Sequence, residues 1–255
     1  MPPVISPYAA PDQFTTLIDL VNMVARSVGH PPTNDVAGST DEAIQRMSYY
    51  ANLAGSELTT MANWEFLNKE AEISIFADQP DQAEKAFDLP DDFKAMIDDT
   101  HWDRSTQLPA IGPINSQDWQ WLIVRRTKIT TRMMWRIRQR KLWIKSPPVT
   151  PEPFTFEYLS KDWAVNGTSF LEQDYLESNT DFHIYPWNLM VALTRAKWFE
   201  NEGYDSKGAY VDFNKMLAYF AGVDKGATSL SLVPGTGYPY IDAVKNIPDT
   251  GYGSA

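Results

Sequence analysis

The chain has 255 residues, enough for one large domain or two small ones, and either can bury a sizeable core. Its 43% hydrophobic content is ordinary for a globular protein, its formal net charge is −11, and it has no cysteine, which excludes disulfides, a thiol nucleophile and a thiolate metal site. No apolar run approaches the ~18 residues of a membrane helix, and the first residues do not have the pattern of a signal peptide, so we expect a soluble protein with no membrane partner.

Two amphipathic helices begin the chain. Apolar residues recur at i, i+3, i+4 and i+7 spacing, which predicts helices with one buried face. In the first helix they are Phe14, Leu17, Ile18, Val21, Ala25 and Val28, and in the second Ile44, Met47, Ala51, Ala54, Leu58 and Met61. Gly29, followed by two prolines, ends the first helix. Ser39 and Glu42 have the spacing of a capping box at the start of the second.

The middle of the chain changes to a two-residue period, which indicates strands. The predicted strands are 71–76 and 153–160, the latter with Phe154, Phe156 and Tyr158 on one side. Between them, Asn115 or Ser116 caps a short predicted helix, and 132–146 predicts a β-hairpin. In that hairpin we expect Met133, Trp135 and Ile137 on one face and Leu142 and Ile144 on another. The turn lacks an Asn-Gly pair, so the sequence leaves its register open.

Helices return near the end of the chain. Pro186 suits the first position of one helix, whose predicted face is Trp187, Met190, Val191, Thr194 and Trp198, and Gly203 ends it. Asp205 or Ser206 caps a last helix, which carries Tyr210, Phe213, Leu217 and Phe220 and ends at Gly222. The order of elements predicts an α+β fold in which N- and C-terminal helices form a bundle around an inserted antiparallel β unit. The predicted segments are an N-terminal extension (1–12), a helical hairpin (13–68), a β-rich unit (69–165), C-terminal helices (166–222) and an extended arm (223–255).

Charge is distributed unevenly along the chain. No acidic residue lies between Asp118 and Glu152, a window that holds nine basic residues. We call them the basic strip: Arg125, Arg126, Lys128, Arg132, Arg136, Arg138, Arg140, Lys141 and Lys145. Such a strip could face an acidic partner, contact a phosphate backbone or form a solvated hairpin face. Trp135 and Trp143 interleave with it, as in single-strand binders, although the alternation predicts that both rings face the core.

The residues give no catalytic constellation, and we expect no enzymatic activity, no cofactor and no metal. His30, His101 and His183 are far apart and lack metal-ligand spacing, and no nucleophile-elbow or phosphate-loop motif occurs. The doublets Asp91-Asp92 and Asp98-Asp99 allow one enzymatic hypothesis, a carboxylate-based hydrolase, although adjacent acids on a turn are usually solvated. Asp249-Thr250-Gly251 occurs once, whereas aspartic proteases need two such loops.

Four stretches follow one another in the chain: "LPDDFKAMIDDTHWDRST", "PAIGPINSQDWQWL", the basic-aromatic hairpin and "FTFEYLSKDWA". In this order they resemble the head-to-tail adaptor proteins of tailed bacteriophages, the group with tail tubular protein A and the head-completion connectors. The ending "SLSLVPGTGYPYIDAVKNIPDTGYG" is similar to the tails of such adaptors. The resemblance spans roughly residues 13 to 221, and it depends on the order of the motifs because none is diagnostic alone.

The resemblance implies a structural virion protein in the neck, assembled in the host cytoplasm. Its copies, usually twelve, would form a ring beneath the phage portal protein, contact tail tube or nozzle proteins, and let double-stranded DNA pass through the centre. The family gives the basic strip no role residue by residue. The members of the basic strip from 125 to 141 are therefore candidates to face the channel or a partner. The alternative function is a nucleic-acid-binding module that uses 125–145.

The C-terminal arm suits a role in assembly. It is rich in Gly, Pro and Tyr, and its candidate anchors are Tyr238, Tyr240, Ile241, Val244, Ile247 and Tyr252. Rigid aromatic side chains gain contact area at a small entropic cost. We expect these residues to contact a neighbouring subunit or the portal.

Overall fold

The computed structural model describes residues 15–124 and 132–224. Five helices are present in these ranges: α1 (Leu17–Ser27), α2 (Glu42–Met61), α3 (Ser116–Val124), α4 (Trp187–Asn201) and α5 (Lys207–Asp224). The strands are β1 (Asn68–Ile75), β2 (Glu84–Asp88), β3 (Phe93–Met96), β4 (Trp102–Asp103), β5 (Leu108–Pro109), β6 (Met134–Arg138), β7 (Lys141–Lys145), β8 (Glu152–Ser160), β9 (Ala164–Val165), β10 (Glu172–Gln173) and β11 (Phe182–His183). All the strand pairs are antiparallel, and the predicted α+β class is confirmed.

The N- and C-terminal helices pack together, as the sequence predicts. α4 contacts α1, α2 and α5, and these four helices supply most of one hydrophobic core. Because α4 lies among three helices, it is buried on most of its circumference, including Leu189, Leu193 and Ala196. Of the residues predicted to line a face of α4, Met190, Val191, Thr194 and Trp198 are buried or packed against this core, whereas Trp187 is about half exposed and its placement there is wrong. A helix surrounded by others shows no clear periodicity in its sequence.

The helix ends differ from the predictions in three places. α2 is capped by Asp41, whose carboxylate accepts a hydrogen bond from the Ala43 amide at 2.9 Å, so the predicted capping box of Ser39 and Glu42 is wrong. The Asp41 carboxylate lies next to the first turn, whereas the Ser39 hydroxyl accepts from the Asp41 amide instead. Pro186 is the N-cap residue of α4 and precedes its first turn.

α5 continues past Gly222 to Asp224, whose carboxylate accepts a hydrogen bond from the Glu65 amide. That contact holds the end of α5 against the short 3-10 turn Glu65–Leu67, which gives the last turn a tertiary reason to form. The predicted end of α1 is confirmed, because Gly29 has a φ of 80°, a left-handed conformation that glycine adopts at low cost.

A second core lies between two sheets. One sheet has the order β1-β8-β4-β5 with β3 also paired to β8, and the other has the order β2-β7-β6. Phe154 and Phe156 of β8 pack in this core with Trp135, Leu142 and Ile144 of the hairpin. A third, small sheet, β10-β9-β11, joins the β unit to the helices, and the predicted segment boundary at 165 falls at the end of β9.

Candidate interaction site

The β6–β7 hairpin carries the described part of the basic strip. Its register pairs Trp135 with Ile144 and Ile137 with Leu142, so these four side chains share one face. The expectation that Leu142 and Ile144 lie on a different face from Trp135 is therefore wrong. A two-residue turn, Gln139-Arg140, sets this register, and both residues have positive φ, 56° and 58°. This is the geometry of a primed hairpin turn, achieved without the Asn-Gly pair that favours it.

The other face of the hairpin sheet is covered by α3. The helix begins at a cap in which the Asn115 side chain accepts a hydrogen bond from the Asp118 amide at 2.9 Å. Trp119 of α3 is fully buried, and its indole N–H donates to the Glu84 carboxylate at 2.6 Å. The Arg136 guanidinium lies 4.5 Å from the centre of the Trp119 ring. The helix thus shields part of the basic strip from solvent.

The structure divides the basic strip into an inner and an outer part. Arg136 and Lys145 are buried, with Arg136 only 5% exposed. Arg138 stacks over Trp143 at 3.9 Å and lies 3.8 Å from the Glu84 carboxylate, and Lys141 forms an ion pair with Asp88 at 2.8 Å.

The other members of the strip either have no ion pair in the described ranges or are undescribed. Arg132 and Arg140 are exposed and have no ion pair within the described ranges. Arg125, Arg126 and Lys128 lie outside the described residues. The sequence window therefore does not correspond to one basic surface.

Arg136 has unusual electrostatic surroundings. Burial lowers its pKa and nearby Arg138 lowers it further, while Glu84 acts in the opposite direction. Its Nε and Nη2 atoms are buried without a hydrogen-bond partner in the described part of the chain. Because the side chain is enclosed, we do not include Arg136 among the residues that could face a channel or partner. No local pattern indicates this enclosure, since an alternating strand places basic residues on one face whether or not a helix covers it.

Exposed apolar residues form stripes on two helices. On α5, Val211, Tyr219 and Val223 are exposed at spacings of eight and four residues, Tyr219 by 65%. On α2, Tyr49 and Leu53 are exposed one turn apart, Tyr49 by 64%. The predicted core residues of α5 pack as expected, with Phe213 buried and Tyr210, Leu217 and Phe220 against the helical core. The outer stripe was not predicted, because it flanks that core face.

The predicted arm anchors lie outside the described residues. They are Tyr238, Tyr240, Ile241, Val244, Ile247 and Tyr252.

The two acidic doublets have different surroundings. Asp91 is exposed, whereas the Asp92 carboxylate accepts hydrogen bonds from Lys69 at 2.5 Å, Tyr158 at 2.8 Å and Ser160 at 2.9 Å. Burial alone raises the pKa of Asp92, but these three donors together bring it below its ordinary value. Asp92 thus joins β1 to β8, and its oxygens are engaged in structural contacts.

The second doublet and the histidines show no shared site. Asp98 and Asp99 are exposed. Buried His101 packs edge-on against Trp135, and buried His183 has its Nδ1 atom 2.9 Å from the Tyr185 carbonyl. In the described ranges, no group of three potential metal-ligating side chains occurs.

The described helices include none that is long and apolar enough to cross a membrane. Comparison with known proteins finds no family that matches this sequence and no similar curated protein.

Proposed function

We propose that this protein is a structural adaptor at the head-to-tail junction of a tailed bacteriophage. In this proposal its copies form a ring, twelve in the family it resembles, between the portal protein and the tail proteins, and double-stranded DNA passes through the centre. Two observations support the proposal: the order of sequence motifs resembles that of the family, and the α+β fold is of the kind that the resemblance implies.

The observation that carries the proposal is the pair of exposed apolar stripes on α2 and α5. Both helices pack against α4, so the stripes lie on separate outer elements of one bundle. A ring of identical subunits needs two different patches that meet head to tail. Aromatic and aliphatic side chains exposed in stripes are typical of surfaces that bind another protein. We assign the α2 stripe and the α5 stripe to these two patches.

The charges fit a subunit that lets DNA pass without binding it tightly. The net charge of −11 disfavours stable association with a polyanion. Four of the six described members of the basic strip are buried or paired with carboxylates, namely Arg136, Arg138, Lys141 and Lys145. The alternative, a nucleic-acid-binding module that uses 125–145, requires retardation of DNA at low salt and a steep loss of binding as salt rises.

Imaging with the cognate portal protein tests the adaptor proposal. We expect the isolated chain to be a monomer or a loose oligomer by mass photometry, and to form rings on portal in negative stain. Tyr219→Glu should prevent ring formation by placing a charge in the α5 stripe. Asn214→Glu adds the same charge to an exposed position on another side of α5 and should leave the rings intact. Failure of the parent chain to form any ring on portal would contradict the proposal.

A further inference from the structure

We propose that the outer face of the β1–β8–β4 sheet is a socket for the hairpin tip of a second copy of this chain, and that Arg140 enters it. The socket consists of Glu70, Glu72, Glu157, Thr155 and Trp102, and the tip is Gln139-Arg140. This inference rests on the proposed function, since it specifies one contact between neighbouring subunits.

The socket collects acidic side chains on one side of the sheet. Glu70 lies directly opposite Glu157 in the β1/β8 pair, and Glu72 lies opposite Thr155. Residues two apart on a strand share a face, so the three carboxylates lie on the same side. Arg104 pairs with Glu70, while within 15–124 and 132–224 Glu72 and Glu157 have no ion pair. Like charges directly opposite each other destabilise a sheet; Arg104 already compensates Glu70, so Glu72 and Glu157 are the carboxylates that a cation from outside would pair with.

A cleft next to these carboxylates contains a polar group without a partner. The cleft has a volume of about 360 Å³ and is lined by Thr100, Trp102, Asp103, Arg104, Gln107 and Thr155. Thr155 is only 3% exposed, and its hydroxyl makes no hydrogen bond in the described part of the protein. A buried hydroxyl without a partner costs free energy, so a hydrogen-bonding group supplied on binding would lower that cost. Trp102, opposite Thr155 in the β4/β8 pair, lines the same cleft.

Charge complementarity identifies the hairpin tip as the occupant. The chain is acidic overall, and its basic residues are concentrated in the window that contains the hairpin. At the end of that hairpin, Arg140 is exposed on a turn of two residues and has no ion pair with any described residue. A narrow basic projection complements the carboxylates of Glu72 and Glu157, which lie beside the cleft on the same face of the sheet.

The orientation of β8 shows that the tip must come from another copy. Phe154 and Phe156 face the core that they share with the hairpin residues Trp135 and Leu142. Thr155 and Glu157 alternate with them on the strand and therefore face away from the hairpin of their own chain. The tip and the socket are two different patches, so insertion in one direction makes a head-to-tail contact, which forms a ring when the rotation between subunits closes.

Intermolecular disulfide trapping tests the contact with the full chain, which has no native cysteine. A Gln139→Cys chain keeps Arg140, and a Ser74→Cys chain keeps every acidic residue on the socket face. After oxidation of the mixture at low salt, we expect at least about fivefold more linked heterodimer than from Asn214→Cys with Ser74→Cys, because attraction between exposed charges is strong when unscreened. Adding Arg140→Glu to the first chain should remove the excess, and Glu72→Lys in the second should restore it.

Equal trapping in the test and control mixtures would overturn the socket, as would an excess that survives Arg140→Glu. DNA retardation that depends on Arg140, without any excess trapping, would assign the tip to nucleic acid and also overturn it. Imaging on portal separates the two proposals. Excess disulfide trapping without rings on portal would support the socket and contradict the adaptor proposal. Rings on portal that still form with Arg140→Glu, together with no excess trapping, would support the adaptor proposal and contradict the socket.

Discussion

Replacing Gly55 with alanine should destabilise this protein, although the same change usually stabilises a helix. Gly55 lies in the buried face of α2, where its missing side chain leaves room for the ring of Trp163. A Cβ atom added at Gly55 would come within 3.0 Å of three ring carbons of Trp163. Trp163 is 1% exposed and its carbonyl accepts a hydrogen bond from the Ile184 amide, so the ring has little freedom to move away.

Two opposing effects decide the sign. Alanine is favoured over glycine in a helix interior by about 1 kcal/mol. Overpacking of a closely packed core costs about 1–3 kcal/mol. Since the clash involves an enclosed aromatic ring rather than a flexible side chain, we expect overpacking to dominate and the free energy of unfolding to fall by about 1–2 kcal/mol.

Urea unfolding measures this change, and Gly222 supplies the matched control. Gly222 lies in the last turn of α5, and a Cβ atom there would meet nothing within 4 Å. Gly222→Ala should therefore leave stability unchanged or raise it, whereas Gly55→Ala should lower it. In a Trp163→Phe background, the smaller ring leaves space for the methyl group. Gly55→Ala should therefore lower the free energy of unfolding less in that background than in the parent protein. A Gly55→Ala protein as stable as the parent would refute the reasoning.

Three further predictions concern stability and assembly. Burial lowers the pKa of His183 to about 4 despite its contact with the Tyr185 carbonyl, so below pH 6.5 the unfolded state binds a proton that the folded state does not. The free energy of unfolding should therefore fall by about 3 kcal/mol between pH 6.5 and 4. His183→Asn should flatten that part of the thermal-unfolding profile. Asp181→Ala should cost about 3 kcal/mol or more in urea unfolding, since the buried carboxylate accepts hydrogen bonds from the Gly167, Glu177 and Ser178 amides and the Gln173 side chain, and a loss below about 1 kcal/mol would contradict this. Deleting 233–255 should weaken docking to portal while thermal unfolding of the truncated chain stays unchanged, and undiminished docking would exclude the proposed role of the arm.

The parts of the fold that the sequence predicted are those fixed by local patterns. α1 shows its period clearly because one face meets the core and the other meets solvent, as with Leu20 and Arg26. β8 was predicted from the alternation of Phe154, Phe156 and Tyr158, all of which are buried. Where an element is covered on several sides, the local pattern becomes unclear, and the additional buried positions of α4, such as Leu189 and Leu193, could not be derived from it.

The candidate surfaces depended on tertiary contacts that no window of sequence contains. Glu84 and Trp119 are 35 residues apart, yet their hydrogen bond places α3 over the hairpin sheet. Glu70 and Glu157 are even farther apart in the chain, and only the β1/β8 register makes them neighbours. The basic strip could be found in the sequence because its residues lie close together in the chain. The acidic face that could receive it could not, because β1 and β8 contribute its residues from distant positions.

The division of the basic strip gives its members different expected roles. A buried, partly unpaired guanidinium such as that of Arg136 contributes little net stability, because its desolvation opposes its stacking on Trp119. Replacement by an apolar side chain of similar volume is often neutral or stabilising at such a position. Arg140 makes no ion pair with the described residues, so its charge is available to a partner and its loss would leave the fold intact. A positive charge on the hairpin therefore acts in packing or in association according to its face, and among the described members Arg132 and Arg140, which are exposed and have no ion pair there, are best suited to contact another molecule.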